Sequence, residues 1–237
     1  RGLFDPADLV ELRDTVQRMS MDPSPAVRRF PLTRPDDSLL VWLSDIQVHV
    51  EAARAVLGSG RIGAAAAELL GSRRVTLAQD TAFVKPARHG GVVGWHQDGS
   101  YWQHAEPLEM VTAWVALTPS RRESGALWLM PGTHEQGLFP ATALDAFTTD
   151  ADSFLERHGL TDKERVVLEL EPGDVSFHHV NVVHGSYANE TDEARIGYVV
   201  HCLSDRCRYR PERARFWQRE AATVEPGAPF EGPMHPV

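Results

Sequence analysis

VTLAQDTAFV, residues 75–84, is where the chain changes its period. Upstream of it, apolar residues recur at helical spacing. From it onward they come in short runs rich in Val and Thr, bounded by Gly, Pro, Asn and Asp, which is the pattern of strands. The segments 92–95, 110–117, 126–130, 166–170, 175–178, 182–187 and 196–203 repeat the pattern, so eight strands are expected from residue 75 on. On the other side, Asp5 can cap a helix with Pro6 at its first position. Leu9, Leu12, Val16 and Met19 then draw one apolar stripe along residues 6–20. Further helices are expected over 45–57, closed by Gly58 and Gly60, and over 61–70, ended by Gly71. Short strands after a helical start predict a mainly β protein with N-terminal helices, a jelly roll whose mouth has room for a metal and a small molecule.

The 237 residues make one domain. Residues 1–73 read as helical support, 74–204 as the jelly-roll core and 205–237 as a C-terminal extension. One connection, 132–164, is much longer than the rest and holds an acidic, helix-compatible stretch over 145–158; loops of this length are usually functional, and a lid is expected there. The Pro- and Gly-rich tail from Glu225 is expected to lie on the surface or to fray.

Composition narrows the partners. Hydrophobic residues at 42% and charged residues at 24% are ordinary for a globular chain. A net charge of -9, with Lys85 and Lys163 the only lysines and the arginines scattered, offers no basic face for nucleic acid. No apolar run approaches the roughly 20 residues of a membrane span. Cys202 and Cys207 are expected as free thiols in a reducing cytoplasm, because a zinc site would need two further ligands and none stands at suitable spacing. The oligomeric state leaves no mark on the sequence.

The chemistry-bearing residues begin at His96-Gln97-Asp98. Positions two apart on a strand share a face, so His96 and Asp98 can converge while Trp95 and Gln97 point elsewhere. His-x-Asp is common by chance and needs a third ligand from another strand. His184 ends the apolar run 180–183, and a hairpin through 188–192 would bring Arg195 back beside it and Ser186. His178 and His179 offer no such partner, and His201 reads as a structural residue inside an apolar strand. Two imidazoles and one carboxylate can cap one face of an iron(II) ion and leave the other face open. Arg195, unless it merely pairs with Asp192 or Glu193 on the surface, presents a planar fork that fits a carboxylate, with the Ser186 hydroxyl as a further donor. Trp114 is either a core aromatic or a wall over a flat ligand.

VKP at 84–86, WHQDGSYW at 95–102, VTAWVAL at 111–117, SGALWLMPGTH at 124–134, GDVSFHHVNVVHGS at 173–186 and Arg195 stand in an order and spacing that resembles the phytanoyl-CoA dioxygenase family of iron(II)/2-oxoglutarate oxygenases. The resemblance covers about half the chain and implies a double-stranded β-helix. It implies His96, Asp98 and His184 as iron ligands, and Arg195 and Ser186 as the hold on the distal carboxylate of 2-oxoglutarate. Trp114, Gln97 and Thr81 match positions lining the cosubstrate pocket. Upstream of residue 75 no family feature can be aligned. The chemistry implied is oxidative decarboxylation of 2-oxoglutarate with O2 to succinate and CO2, coupled to oxidation of a C–H bond, usually hydroxylation. The Asp98 carboxylate speaks against the related halogenases, which carry a small residue there. Phytanoyl-CoA itself would call for a Lys/Arg cluster around its phosphates, and Arg121-Arg122 is the only basic pair near a core segment. A small-molecule biosynthetic intermediate is therefore the expected substrate, with Phe83, Tyr101, Trp102 and His104 as candidates to line its site. Two other readings stay open at this point: a cupin-like metalloenzyme without 2-oxoglutarate, and a non-catalytic jelly-roll module that binds ligands.

Overall fold

The computed structural model describes residues 1–21, 28–32, 40–88, 91–141, 151–215 and 224–231, with backbone only for 28–32. The expected first helix is a 3-10 turn, Pro6–Leu9, running into α1, Val10–Met21; Asp5 accepts from Ala7 N through its side chain. α2, Glu51–Gly58, and α3, Arg61–Leu70, follow. The expected 45–57 helix is interrupted. Only Ile46–Val48 turns as 3-10, Asp45 is left-handed at φ 57°, and Val50 is extended before α2 begins.

The reason lies in the sheet beneath. Asp80 accepts from Gln47 N at 2.9 Å with its carboxylate and from Asp45 N at 2.8 Å with its carbonyl, so the turn is tied to a strand instead of continuing as helix. Tyr198 also donates to Asp80 Oδ2 at 2.9 Å, while Oδ1 is buried with no partner among the described residues. Burial pushes the Asp80 carboxyl up to about 7 despite these donors. A carboxyl raised in the folded state binds its proton more tightly there than in the unfolded chain. Its stabilising contribution is full below about pH 4 and is lost as pH rises towards 7, by at most roughly 4 kcal/mol. Urea unfolding of the wild type and Asp80→Asn should therefore diverge across that window, the wild type losing stability relative to the variant. Parallel curves would show that Asp80 ionises normally.

The strands are β1 Arg28–Leu32, β2 Leu40–Ser44, β3 Val75–Lys85, β4 Val93–His96, β5 Ala105–Glu106, β6 Met110–Ala116, β7 Leu127–Leu129, β8 Val166–Leu168, β9 Val175–His179, β10 His184–Ser186, β11 Arg195–Ser204 and β12 Arg208–Tyr209. All eight expected strands are among them. The larger sheet runs β1-β2-β3-β11-β6-β9 and the smaller one β4-β10-β7-β8, every pairing antiparallel. From β3 on, the core strands alternate between the two sheets, apart from the neighbouring β7 and β8, which makes the jelly roll. β1 and β2 extend the larger sheet beyond it.

Alternation sorts the larger sheet's two faces. Ala82 and Val84 of β3, with Ile196, Tyr198 and Val200 of β11, pack outward on Leu9, Leu12, Val16, Ala53, Val56, Ile62 and Ala66 of the helices. The intervening residues face the smaller sheet. Registers place them in rows: Thr81, Val199, Trp114 and Ser176 in one, Gln79, His201, Thr112 and His178 in the next.

The smaller sheet is backed by the long connection. α4, Ser153–His158, buries Phe154 and Leu155, which with Leu160 join Trp95, Met130 and Val183 in one cluster. Trp95 Nε1 donates to Asp152 at 2.9 Å and Trp95 N to Ala151 O at 3.2 Å. Residues 151–160 thus pack on the outside of the barrel, against the smaller sheet. The rest of the acidic stretch, through residue 150, lies outside the described residues. The tail lies on the surface as expected, Glu225, Pro226, Gly227 and Glu231 being exposed, and Phe230 anchors it, buried against His104 and Tyr209.

Candidate metal centre

His96 closes β4 and His184 opens β10, and the two are direct cross-strand partners, which sets their rings 4.3 Å apart. Asp98 follows where β4 turns into a short 3-10 segment, Asp98–Ser100. His96 Nδ1 lies 2.8 Å from Gly94 O, and His184 Nδ1 lies 3.0 Å from Val182 O. A carbonyl only accepts, so each Nδ1 carries a proton, which leaves Nε2 as the nitrogen through which each ring can bind a metal. Both Nε2 atoms meet one carboxylate oxygen: Asp98 Oδ1 is 3.7 Å from His96 Nε2 and 3.6 Å from His184 Nε2. Among the described residues, His96, Asp98 and His184 form the one group of three able to hold a metal ion, and all three are buried.

The electrostatics suit a cation. Burial alone would raise the Asp98 carboxyl, but the imidazoles of His184, His178 and His96 hold it well below the usual carboxylate range. Burial, reinforced by His96, brings His184 down to about 3, so its ring is neutral at ordinary pH. The Asp98 carboxylate and the neutral His184 imidazole are in the protonation states a divalent metal requires of its ligands.

Arg195 starts β11 on the face that looks into the barrel and is 4% exposed. Its guanidinium stands 5.2 Å from the Trp114 ring centroid and donates through Nη2 to Gly125 O at 2.9 Å. Nε is buried with no partner among the described residues. Burial lowers Arg195 to about 10, which leaves it charged at neutral pH. Trp114 can lie as it does because Gly197 is beneath it: a Cβ there would collide with the indole. Nearby, the fully buried Lys85 ammonium donates to the carbonyls of Gly91, Ser186 and Tyr187, pinning the backbone that carries the Ser186 hydroxyl. Thr81 is buried in the Trp114 row, its Oγ1 accepting from Trp42 Nε1 at 3.4 Å.

Gln97 is spent on backbone: Nε2 donates to Gly137 O at 2.8 Å and Asn181 O at 2.6 Å, and Oε1 accepts from Phe139 N at 2.8 Å. It is fully buried and fastens the start of the long connection. His104 packs among Trp102, Tyr209 and Phe230 under the C-terminal extension. Trp102, 8% exposed, belongs to the same cluster and stacks on His201 at 5.1 Å. Tyr101 does adjoin the centre, its ring edge-on to His96 at 6.0 Å with the Arg215 guanidinium 4.7 Å from its centroid. Phe83 faces the barrel interior between Trp42, 5.5 Å away, and the Trp114 cluster.

Three residues not singled out for the site surround Asp98. Thr112 donates to Asp98 Oδ2 at 2.7 Å, His178 Nε2 stands 3.6 Å from the same oxygen, and His201 touches Thr112. Thr112 could have been found by counting two back from Trp114. His178 could not, because its place depends on the β6–β9 register.

Fold and site together define a double-stranded β-helix with a buried His-x-Asp and His centre and a buried arginine on the neighbouring sheet. The chain belongs to the phytanoyl-CoA dioxygenase (PhyH) family, whose model matches residues 1–197. It is 29% identical over 163 residues to a phytanoyl-CoA dioxygenase of Arabidopsis thaliana, covering 68% of this chain and 55% of the relative. With the ectoine dioxygenase of Bordetella bronchiseptica it shares 27% over 204 residues, 79% of this chain and 65% of that one. The chain spans about half the length of the first curated relatives it matches. Among solved structures, the non-heme alpha ketoglutarate dependent carbocyclase SnoK from nogalamycin biosynthesis superposes with a TM-score of 0.80 at 20% identity, covering 98% of this chain and 88% of that one. The epimerase SnoN, in complex with Fe3+, alpha ketoglutarate and nogalamycin RO, superposes with a TM-score of 0.75 at 23% identity, covering 99% and 91%. At these identities the structural likeness speaks for the fold.

Proposed function

We propose that this chain is a non-haem iron(II)/2-oxoglutarate-dependent dioxygenase that oxidises, most often by hydroxylation, a small-molecule biosynthetic intermediate. The observation that carries the reading is the convergence of His96 Nε2, His184 Nε2 and Asp98 Oδ1, with both histidine rings fixed from behind. Iron(II), 2-oxoglutarate and O2, when bound, supply the oxidising power and release succinate and CO2. The protein's share is to bind, orient and keep water out. His96, Asp98 and His184 hold the metal from one side. Arg195, whose buried Nε lacks a partner among the described residues, binds the distal carboxylate, and Ser186 adds its hydroxyl. Trp114 and Thr81 wall the cosubstrate, and burial of this row lowers the local dielectric, which strengthens the arginine's hold.

On the substrate side, Tyr101 and Phe83 offer apolar surface next to the centre. The relatives support a small-molecule substrate, since ectoine and a nogalamycin are named for them. The SnoK and SnoN descriptions, carbocyclase and epimerase, keep oxidative outcomes other than hydroxylation within this proposal. A cupin-like enzyme without 2-oxoglutarate would leave Arg195, Ser186 and Trp114 without a task. No helix among the described residues is long and apolar enough to cross a membrane. Cys202 and Cys207 are buried free thiols, in keeping with a reducing compartment.

The test is anaerobic. Iron(II) and then 2-oxoglutarate are added to metal-free protein, and a weak visible metal-to-ligand charge-transfer band is expected. Iron binding without the band would remove 2-oxoglutarate from the proposal.

A further inference from the structure

Asp98 presents two oxygens to two different surroundings. Oδ1 faces the Nε2 atoms of His96 and His184, as described. Oδ2 receives the Thr112 hydroxyl at 2.7 Å and faces His178 Nε2 at 3.6 Å. Thr112 has one hydroxyl proton, and it is spent on the carboxylate. Its 3.1 Å contact with His201 Nδ1 must then run the other way, with Nδ1–H donating to Oγ1. The result is a directed chain, His201 to Thr112 to Asp98, in which each donor is polarised by the one behind it.

The chain is built into the sheet. His201 pairs with Thr112 across β11 and β6, and Thr112 with His178 across β6 and β9, so the three occupy one row of the inward face. All are buried, and His201 is further held by the Trp102 ring. Both nitrogens of His178 lack a hydrogen-bond partner among the described residues; its ring packs 4.7 Å from that of His184, and its Nε2 faces the Asp98 carboxylate.

We propose that this row is the positioning device for Asp98: it occupies Oδ2, turns Oδ1 towards the two imidazoles and keeps the carboxylate a one-oxygen ligand. The inference rests on the iron-dependent reading above and concerns how the site is held. Its consequence is coordinative. A second oxygen from Asp98 would take up a position that a chelating cosubstrate needs. Thr112 and His201 are thus positioning residues, acting through Asp98 rather than on substrate.

The variants follow from shape. Thr112→Val keeps the volume and loses the hydroxyl; Thr112→Ser keeps the hydroxyl. With cobalt(II) as the probe ion and no cosubstrate, Thr112→Val is expected to bind roughly 10- to 100-fold more weakly than wild type, the range for outer-shell partners. Its visible cobalt spectrum should change in intensity, reporting a changed coordination number, and Thr112→Ser should restore both affinity and spectrum. A packing role alone would lower Tm while leaving affinity and spectrum untouched. The inference is overturned if Thr112→Val binds cobalt as wild type does, or if Val and Ser are equally impaired. Should Thr112→Val fail to fold, His201→Phe keeps a ring against Trp102 and removes the first donor. Several-fold weaker binding is then expected, and wild-type binding would overturn the inference. If wild type itself fails to bind cobalt, the iron-dependent reading falls as well, whereas a failure confined to the variants leaves that reading standing.

Discussion

Asp98→Ala is expected to fold and to lose iron(II) by more than about 100-fold in affinity, beyond the 10- to 100-fold typical for an outer-shell partner. The direction follows from what the carboxylate does in the metal-free chain. It is the only anion at the centre among the described residues, and the cluster around it is built of imidazoles. Without it, His96 and His184 are left as the only ligands, and imidazoles give a divalent ion no charge compensation in a buried site. The fold should tolerate the change, because a methyl group in place of the carboxylate removes a desolvated charge and breaks one hydrogen bond, that of Thr112, while His178 loses only a group 3.6 Å away. Competition between protein and a chelator for iron(II), with thermal unfolding run alongside, separates the outcomes. Retention of iron within a few-fold of wild type would mean that the metal sits elsewhere.

Much of this site was legible in the sequence because strand chemistry is periodic. His96 and Asp98 two apart, and His184 and Ser186 two apart, each declare a shared face without any coordinates. All eight core strands could be placed because Val- and Thr-rich runs were cut by Gly, Pro and Asn at their ends. What could not be read was anything set by register between strands. That His184 stands opposite His96, and that His178 and His201 flank Thr112, depends on which residue of one strand faces which of the next. His178 was discounted for lack of a local partner, and the group it faces is Asp98, far away along the chain. β1 and β2 escaped for a different reason: five residues each, one interrupted by Pro31, is too short a run to separate strand from loop. The surroundings of Gln97 and His104 could not be read either, because proximity to a metal motif in sequence says nothing about loop packing. Gln97 meets Gly137, Phe139 and Asn181, and His104 meets Phe230, all contacts that only the folded chain makes.

Arg195→Ala is expected to raise the KM for 2-oxoglutarate by roughly 100-fold or more while leaving iron(II) affinity within a few-fold of wild type. Removing one partner of a buried charge pair costs about 2–5 kcal/mol, and about 3 kcal/mol already corresponds to a factor near 100. The pair belongs at the high end, because the guanidinium is 4% exposed and so is poorly screened by solvent. Arg195→Lys is the sharper comparison. An ammonium keeps the charge but gives up the fork, and it gives up the flat contact with Trp114 at 5.2 Å. The lysine variant would thus recover part of the loss if charge dominates and almost none if geometry does. Succinate release measured against 2-oxoglutarate concentration reads this directly for all three proteins. Because Arg195 also anchors Gly125 O at 2.9 Å, thermal unfolding is measured in parallel. An alanine variant with wild-type KM would leave the cosubstrate carboxylate to some other cation, and the buried arginine would then be a strut between β11 and the turn at Gly125.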